Sequence, residues 1–334
     1  MANSIELIKK YGAENLDKIF VMESVTGILE NRAGVPLKPV EHDASIVYLP
    51  DITMDGLGDY SKITGFPDGD VDLNWKPYQV RKDRGKGFGV DSVENMESAG
   101  IVAANLMAEF MRTRVIPEVD AYRLSTLAAN ATDENIKTES IAANKIISKF
   151  NDVIETYTDN EIALENLVIF ISAAIDKEIR NTTELQKKIT QMDYKAGNLI
   201  FKVRSYDNIP LVVVPKTRFK TAYTFGENGF APAPATYELT ADETVDAEKT
   251  YYTRSGTDGS YVYAKVTTPK LDDIATYYEQ TSEGAADINF MVVHTNAALP
   301  YKKHQAIRVF APEVNQKKDA WLFQYRLYHD IITP

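Results

Sequence analysis

Residues 80–123, VRKDRGKGFGVDSVENMESAGIVAANLMAEFMRTRVIPEVDAYR, lead from a basic, glycine-punctuated strand directly into a long amphipathic helix, and that junction restricts the folds open to this chain. Ser92 suits an N-cap, and Glu94 and Glu97 favour the positive end of the helix dipole. Ala103, Leu106, Met107, Phe110 and Arg114 follow one three-four stripe, and Arg112 and Arg114 sit where cations suit a helix end. Pro117 predicts a break, after which residues 118–129 resume a helical pattern. The whole of 91–129 reads as a kinked spine. No residue set in it has catalytic spacing, so the stretch reads as architecture.

Upstream, apolar residues from Ile5 to Leu29 recur mostly at threes and fours, which predicts a helical arm interrupted near Gly12. SIVYLP (45–50) reads as a short strand. Between residues 51 and 91 the chain is rich in glycine and carries a Gly-Phe-Pro-Asp-Gly turn at 65–69. The segments 71–80 and 86–90 have strand composition. We expect a long, partly exposed, two-stranded hairpin whose edges are blunted by Arg81, Lys82, Asp83, Arg84 and Lys86. Such a ribbon is marginal alone and needs another domain or subunit to lie on.

A chain of 334 residues exceeds one ordinary core, so two or three compact regions are expected. With 44% hydrophobic and 25% charged residues it has the composition of a folded, soluble protein. The most apolar runs, 167–175 and 209–215, are strand-sized, well short of the ~18–20 residues of a membrane span. The first twenty residues lack the apolar core of a signal peptide. No cysteine is present, which excludes disulfides, thiolate nucleophiles and cysteine metal sites. The net charge of -11 argues against a protein that grips phosphate backbones, but it is compatible with one that encloses nucleic acid without holding it.

Residues 140–157 read as an amphipathic helix, LVIFIS (167–172) as a buried strand and 173–180 as a helix, followed by strand-like 198–203 and 209–215. The middle of the chain is therefore expected to be mixed α/β. From 235 to 284 the composition shifts to Thr, Tyr, Asp and Glu, with ten acidic against four basic residues. TYEL, KTYYTR, SYVYAKV and ATYYEQ read there as short strands of an inserted all-β minidomain. Beyond it, 289–293, 306–310 and 320–330 return to strand patterns that are expected to complete an earlier sheet.

Candidate chemistry is thin. His42, His294, His304 and His329 have no metal-ligand spacing and read as ordinary structural histidines. RGKGFG (84–89) matches neither the Walker nor the dinucleotide-binding pattern, and glycine in a twisted ribbon accounts for it. The acidic clusters at 68–72 and 242–246 lack the EF-hand ligand set. Glu118 and Asp120 are two apart on a helix and point in different directions, so contacts to neighbouring subunits explain them better than a shared hydrolytic site. We expect no catalytic, cofactor or metal site, and no enzyme.

Taken together, DRGKGFGVDSVENMES (83–98), AANLMAEFMRTRVIPEVDAYR (103–123), VPKTRFKTA (214–222) and HQAIRVFAPEVNQKKDAWLFQYRLYHD (304–330) resemble, in order, the major capsid proteins of tailed bacteriophages with the Hong Kong 97-type fold. The resemblance implies an α+β chain with an N-terminal arm (1–40), an extended β-hairpin loop and flanking strand (41–91), and the spine helix of a peripheral domain (92–132). It further implies an axial α/β domain (133–235) and C-terminal strands completing the core sheet (285–334). The inserted small all-β domain (236–284) departs from the compact family pattern. Relatives with a built-in scaffold carry a long segment before the arm. If the chain is full length, it resembles those that use a separate scaffolding protein, which is the expected partner.

The implied function is a virion shell subunit. It would assemble with itself into hexamers and pentamers in the bacterial host cytoplasm, with a portal protein, around double-stranded DNA. No membrane is implied. Arg81, Arg84, Lys86, Glu118 and Asp120 are the candidate inter-subunit contacts. Two alternatives stay open: an encapsulin-like compartment, or a shell protein whose insertion binds glycans or a host surface through Tyr251, Tyr252, Tyr277 and Tyr278.

Overall fold

The structure, a computed structural model, describes residues 23–30, 38–39, 45–63, 65–92, 101–142, 145–182, 189–196, 199–240, 244–246, 249–257 and 261–334. Most of the arm expected over residues 1–29 lies outside these residues, as do His42 and the start of the 242–246 acidic cluster. The protein is mixed α+β and built mostly of strands.

In chain order, a 3₁₀ turn at Val25–Leu29 precedes β1 (Lys38–Pro39), β2 (Ile46–Met54), β3 (Val71–Gln79) and β4 (Lys82–Asp91). Then follow helix α1 (Ile101–Phe110), a π-helical turn (Met111–Val115), α2 (Ile116–Asn130) and α3 (Ile146–Asp159). Next come β5 (Leu167–Ser172), α4 (Ala173–Asn181), β6 (Ile189–Ala196), β7 (Leu199–Tyr206), β8 (Ile209–Val214), β9 (Tyr223–Gly226) and β10 (Gly229–Pro232). The chain continues through β11 (Thr236–Leu239), β12 (Tyr251–Ser255), β13 (Val262–Lys265), β14 (Tyr278–Ser282), β15 (Phe290–His294), β16 (Leu299–Phe310) and β17 (Ala320–Ile332).

The largest sheet has the order β15-β5-β8-β7-β6, with β5 and β8 parallel and the other pairs antiparallel. The interior position of β5 explains its unbroken apolar run LVIFIS, because both faces are covered. Leu167, Ile169 and Ile171 pack against α3 and α4 through Ile146, Phe150, Ile175 and Ile179. Val168 and Phe170, on the other face, meet Leu29, Leu124 of α2 and Phe219. The Ser172 hydroxyl caps α4 by accepting from the Ile175 amide at 3.3 Å.

A second, three-stranded sheet has the order β16-β17-β4 and lies on the spine. Phe323, Tyr325 and Leu327 alternate along β17 to meet Met107, Met111, Val115 and Val119. The helical run does not break at Pro117, as the sequence suggested. A proline there removes a backbone donor and presses its ring on the carbonyl one turn earlier. The preceding turn widens instead: the Ile116 amide donates to Met111 O, five residues back. Pro117 then sits in the first turn of α2, where a missing N–H costs little.

The hairpin also differs from its sequence reading. β3 pairs with β2 in a nine-residue register from Ile46↔Gln79 to Met54↔Val71, whereas β4 pairs with β17. The reason lies at the corner between β3 and β4. Val80 is buried at 3% exposure and its amide donates to Ser45 O at 2.7 Å, while the next amide, Arg81 N, donates to Asp330 Oδ2 at 2.8 Å. Those bonds turn the chain from one sheet into the other. Residues 236–282 form their own antiparallel sheet, β11-β14-β12-β13, over a small core of Tyr251, Ile274 and Tyr277.

Candidate functional site

Among the described residues no His, Asp or Glu cluster could hold a metal ion, and no helix is long and apolar enough to cross a membrane. One concavity of about 400 Å³ is an open groove on the β16-β17-β4 sheet, floored in part by Gly85 and Gly87. It has no convergent acid, base and nucleophile. Two other features stand out: an exposed ribbon and a buried polar latch.

The ribbon is β2, β3 and the loop between them. Its base is anchored by Val47 and Leu49, the latter packed against Leu299 and Ile332. Beyond Pro50 the burial ends. Ile52, Met54, Val71 and Leu73 are 54–70% exposed, and Leu57, Ile63 and Phe66 at the tip are 85–108% exposed. The loop is nonetheless ordered: Asp55 N donates to Asp70 O, Asp70 N donates to Asp55 Oδ2, and Ser61 and Gly65 bridge the tip. Gly65 has φ +87°, a value side chains disfavour. Covering a large apolar side chain is worth about 1.5–3 kcal/mol, so this arm exposes on the order of 10 kcal/mol of unrealised burial.

The latch joins the segment 24–30 to α2. Asp120 is fully buried, and its Oδ1 accepts from Ser24 Oγ (2.5 Å), Thr26 N (3.1 Å) and Thr26 Oγ1 (2.7 Å). Its Oδ2 accepts from Val25 N (3.2 Å) and Arg218 Nη1 (3.1 Å). One turn on, the buried Arg123 donates to Thr26 Oγ1 and to Glu30 Oε1, and Lys302 of β16 reaches the other Glu30 oxygen at 3.1 Å. Burial alone would raise the Glu30 carboxyl pKa, but the charges of Arg123 and Lys302 outweigh it and hold the pKa below its usual value. Beside this network, Tyr122 donates to Asp330 Oδ1 at 2.7 Å and stacks edge-on with the buried His329. Burial, then the positive charges of Arg123, Lys302 and Lys82, push the His329 pKa down to about 3.

These placements revise the contact candidates. Asp120 is spent within its own chain, because a carboxylate at 0% exposure with five donors has no surface left to offer. Glu118 holds Arg84 at 2.6 Å, and Arg84 also donates to Gly226 O at 2.7 Å. Lys86 donates to Glu227 O at 3.3 Å, so these cations hold the β9–β10 hairpin. Arg81 is bonded through its amide, and the residue remains exposed. Tyr251 and Tyr277 are core residues of the small sheet, with phenol oxygens accepting from Asp246 N and Lys270 N. Tyr252 and Tyr278 face each other on the opposite side.

The sequence reading missed Ser24, Thr26, Glu30, Tyr122, Arg123, Arg218 and Asp330. One signal was present: Ile116, Val119, Ala121, Tyr122 and Leu124 surround the helix, leaving Asp120 and Arg123 no solvent face.

No sequence-family model matches the chain, and no curated protein does. Solved phage structures align with most of its length. The capsid of the cyanophage P-SCSP1u is 9% identical, with a TM-score of 0.46 over 91% of this chain and 87% of that one. The capsid of Staphylococcus phage Andhra is 10% identical, TM-score 0.46, over 91% and 82%. The head of Helicobacter pylori bacteriophage KHP40 is 11% identical, TM-score 0.47, over 93% and 84%. These neighbours are bacteriophage capsid and head structures.

Proposed function

We propose that the chain is the major capsid protein of a tailed phage, a structural subunit whose activity is its own assembly. The observation that carries this reading is the ribbon. It is ordered by its own hydrogen bonds, yet Ile52, Met54, Val71 and Leu73 stand uncovered together on one face, so it is built to be covered by something else. A second copy of the chain is the occupant we infer, because a subunit that lends each neighbour an arm closes a symmetric lattice from many modest contacts.

In this reading 1–40 form the arm, 41–91 the extended loop, 92–132 the spine, 133–235 the axial domain and 285–334 the returning strands. The domain 236–284 is a surface insertion. Hexamers and pentamers enclose double-stranded DNA, whose phosphates are not gripped by a subunit of net charge -11. A scaffolding protein and a portal complete the partners, and Arg81 is the remaining charged contact candidate. Replacing Leu57, Ile63 and Phe66 together by serine tests the ribbon by light scattering under assembly conditions. We expect folded subunits that no longer form large particles. Particles formed as readily as by the unaltered chain would sink the reading.

A further inference from the structure

We infer that the sheet β11-β14-β12-β13 binds an acidic saccharide on the face turned away from its core. Strand register separates the two faces cleanly. Tyr252 lies opposite Tyr278, Tyr237 opposite Gln280, and Tyr263 opposite Arg254, so these six side chains share one side. Tyr251 and Tyr277, one residue out of phase, form the core on the other. The four outward tyrosines make a continuous aromatic surface. Tyr237 stacks on Tyr263 at 4.0 Å between ring centroids, with Tyr252 edge-on to Tyr237 at 5.0 Å and Tyr278 edge-on to Tyr263 at 5.4 Å.

Charge is sorted the same way. Residues 235–284 carry ten acidic against four basic residues, yet Arg254 and Lys265 lie on the aromatic side. The paired carboxylates Glu238 and Glu279 lie on the core side, where Glu279 is held by Thr240 and Lys249. The Arg254 guanidinium is positioned over two rings, 4.3 Å from the Tyr261 centroid and 4.8 Å from that of Tyr278. Held in this way, it can offer its planar fork to a carboxylate at little further entropic cost.

Size and charge choose among anionic ligands. Four strands about 4.8 Å apart, each rising about 3.3 Å per residue over four or five residues, span roughly 250–300 Å². A stable protein partner needs about 800 Å² on each side. The net acidity of residues 235–284 repels a dense polyphosphate such as nucleic acid. A few pyranose rings with sparse carboxylates fit both limits, laying their C–H faces on tyrosine rings and a carboxylate on Arg254.

The test is retention of the purified full chain on immobilised hyaluronate, which carries one carboxylate per two sugar rings, with neutral dextran and a single-stranded oligodeoxythymidylate as comparisons. We expect hyaluronate to bind best. Arg254→Ala should weaken binding about tenfold, and Arg254→Lys, which keeps the charge but loses the fork, should fall between the two. Unchanged unfolding midpoints would show that both variants fold. No retention on hyaluronate, equal retention by Arg254→Ala, or tighter binding of dextran or DNA would overturn the inference. It is distinguishable from the shell reading, because particle assembly is scored separately and on a different part of the chain.

Discussion

At the scale of the residue, two buried groups make measurable claims. Removing the Asp120 carboxylate leaves Arg218 and the Ser24–Thr26 donors without their acceptor in a closed site, a loss of about 3–5 kcal/mol for a broken buried ion pair. Asp120→Ala should lower the urea midpoint accordingly, with little effect if the contact were a surface one. His329 is 3% exposed, and its Nδ1 has no hydrogen-bond partner among the described residues. Its folded pKa of about 3 lies below the ordinary value near 6.5. Above pH 6.5 the ring is neutral in both states and contributes no slope. As pH falls from 6.5 towards 3, the unfolded chain binds a proton that the folded chain refuses, and stability drops by up to about 1.4 kcal/mol per unit. Stability curves for the protein and for His329→Phe should diverge only in that window, and parallel curves would contradict the assignment. Little of this was legible beforehand. His329 and Asp330 are neighbours in sequence, but their partners, Tyr122 and Arg81, lie more than two hundred residues away.

At the scale of the element, local chemistry was readable where the sequence is locally consistent. LVIFIS is a strand because five consecutive apolar residues can be buried on both sides at once, and TYEL and VYAK are strands because alternation and turn residues agree. Pairing was not readable. β3 and β4 are consecutive and both strand-like, yet they belong to different sheets, because Ser45 and Asp330 take the amides at the corner. The neck of the small domain is a further case of distant geometry. Gly284 has φ +72°, and a Cβ there would lie 2.6 Å from Ala235 N and 2.9 Å from Pro234 C, both backbone atoms that cannot step aside. Gly284→Ala should therefore cost about 2–3 kcal/mol from backbone strain and collision. Proteolysis should show the cost as faster cleavage at residues 233–236 and 282–285, with the rest of the chain cut at its normal rate. An unchanged digestion pattern would show that the neck tolerates a side chain.

At the scale of the whole molecule, the spine, the latch and the ribbon form one mechanical unit. The latch fixes residues 24–30, α2 and β16 to one another, and Asp330 of β17 fixes the corner from which the ribbon emerges. A rigid base with an uncovered arm suits a part that must meet its neighbours at a set angle. The resemblance of 83–98, 103–123, 214–222 and 304–330 to tailed-phage capsid proteins maps onto these pieces: β4, the spine, the turn that supplies Arg218, and the β16–β17 pair. The direct measurement is electron microscopy of the purified chain across assembly conditions, with and without a scaffolding protein. The account predicts closed, regular shells made of rings of five and six subunits. A discrete monomer under every condition would contradict it.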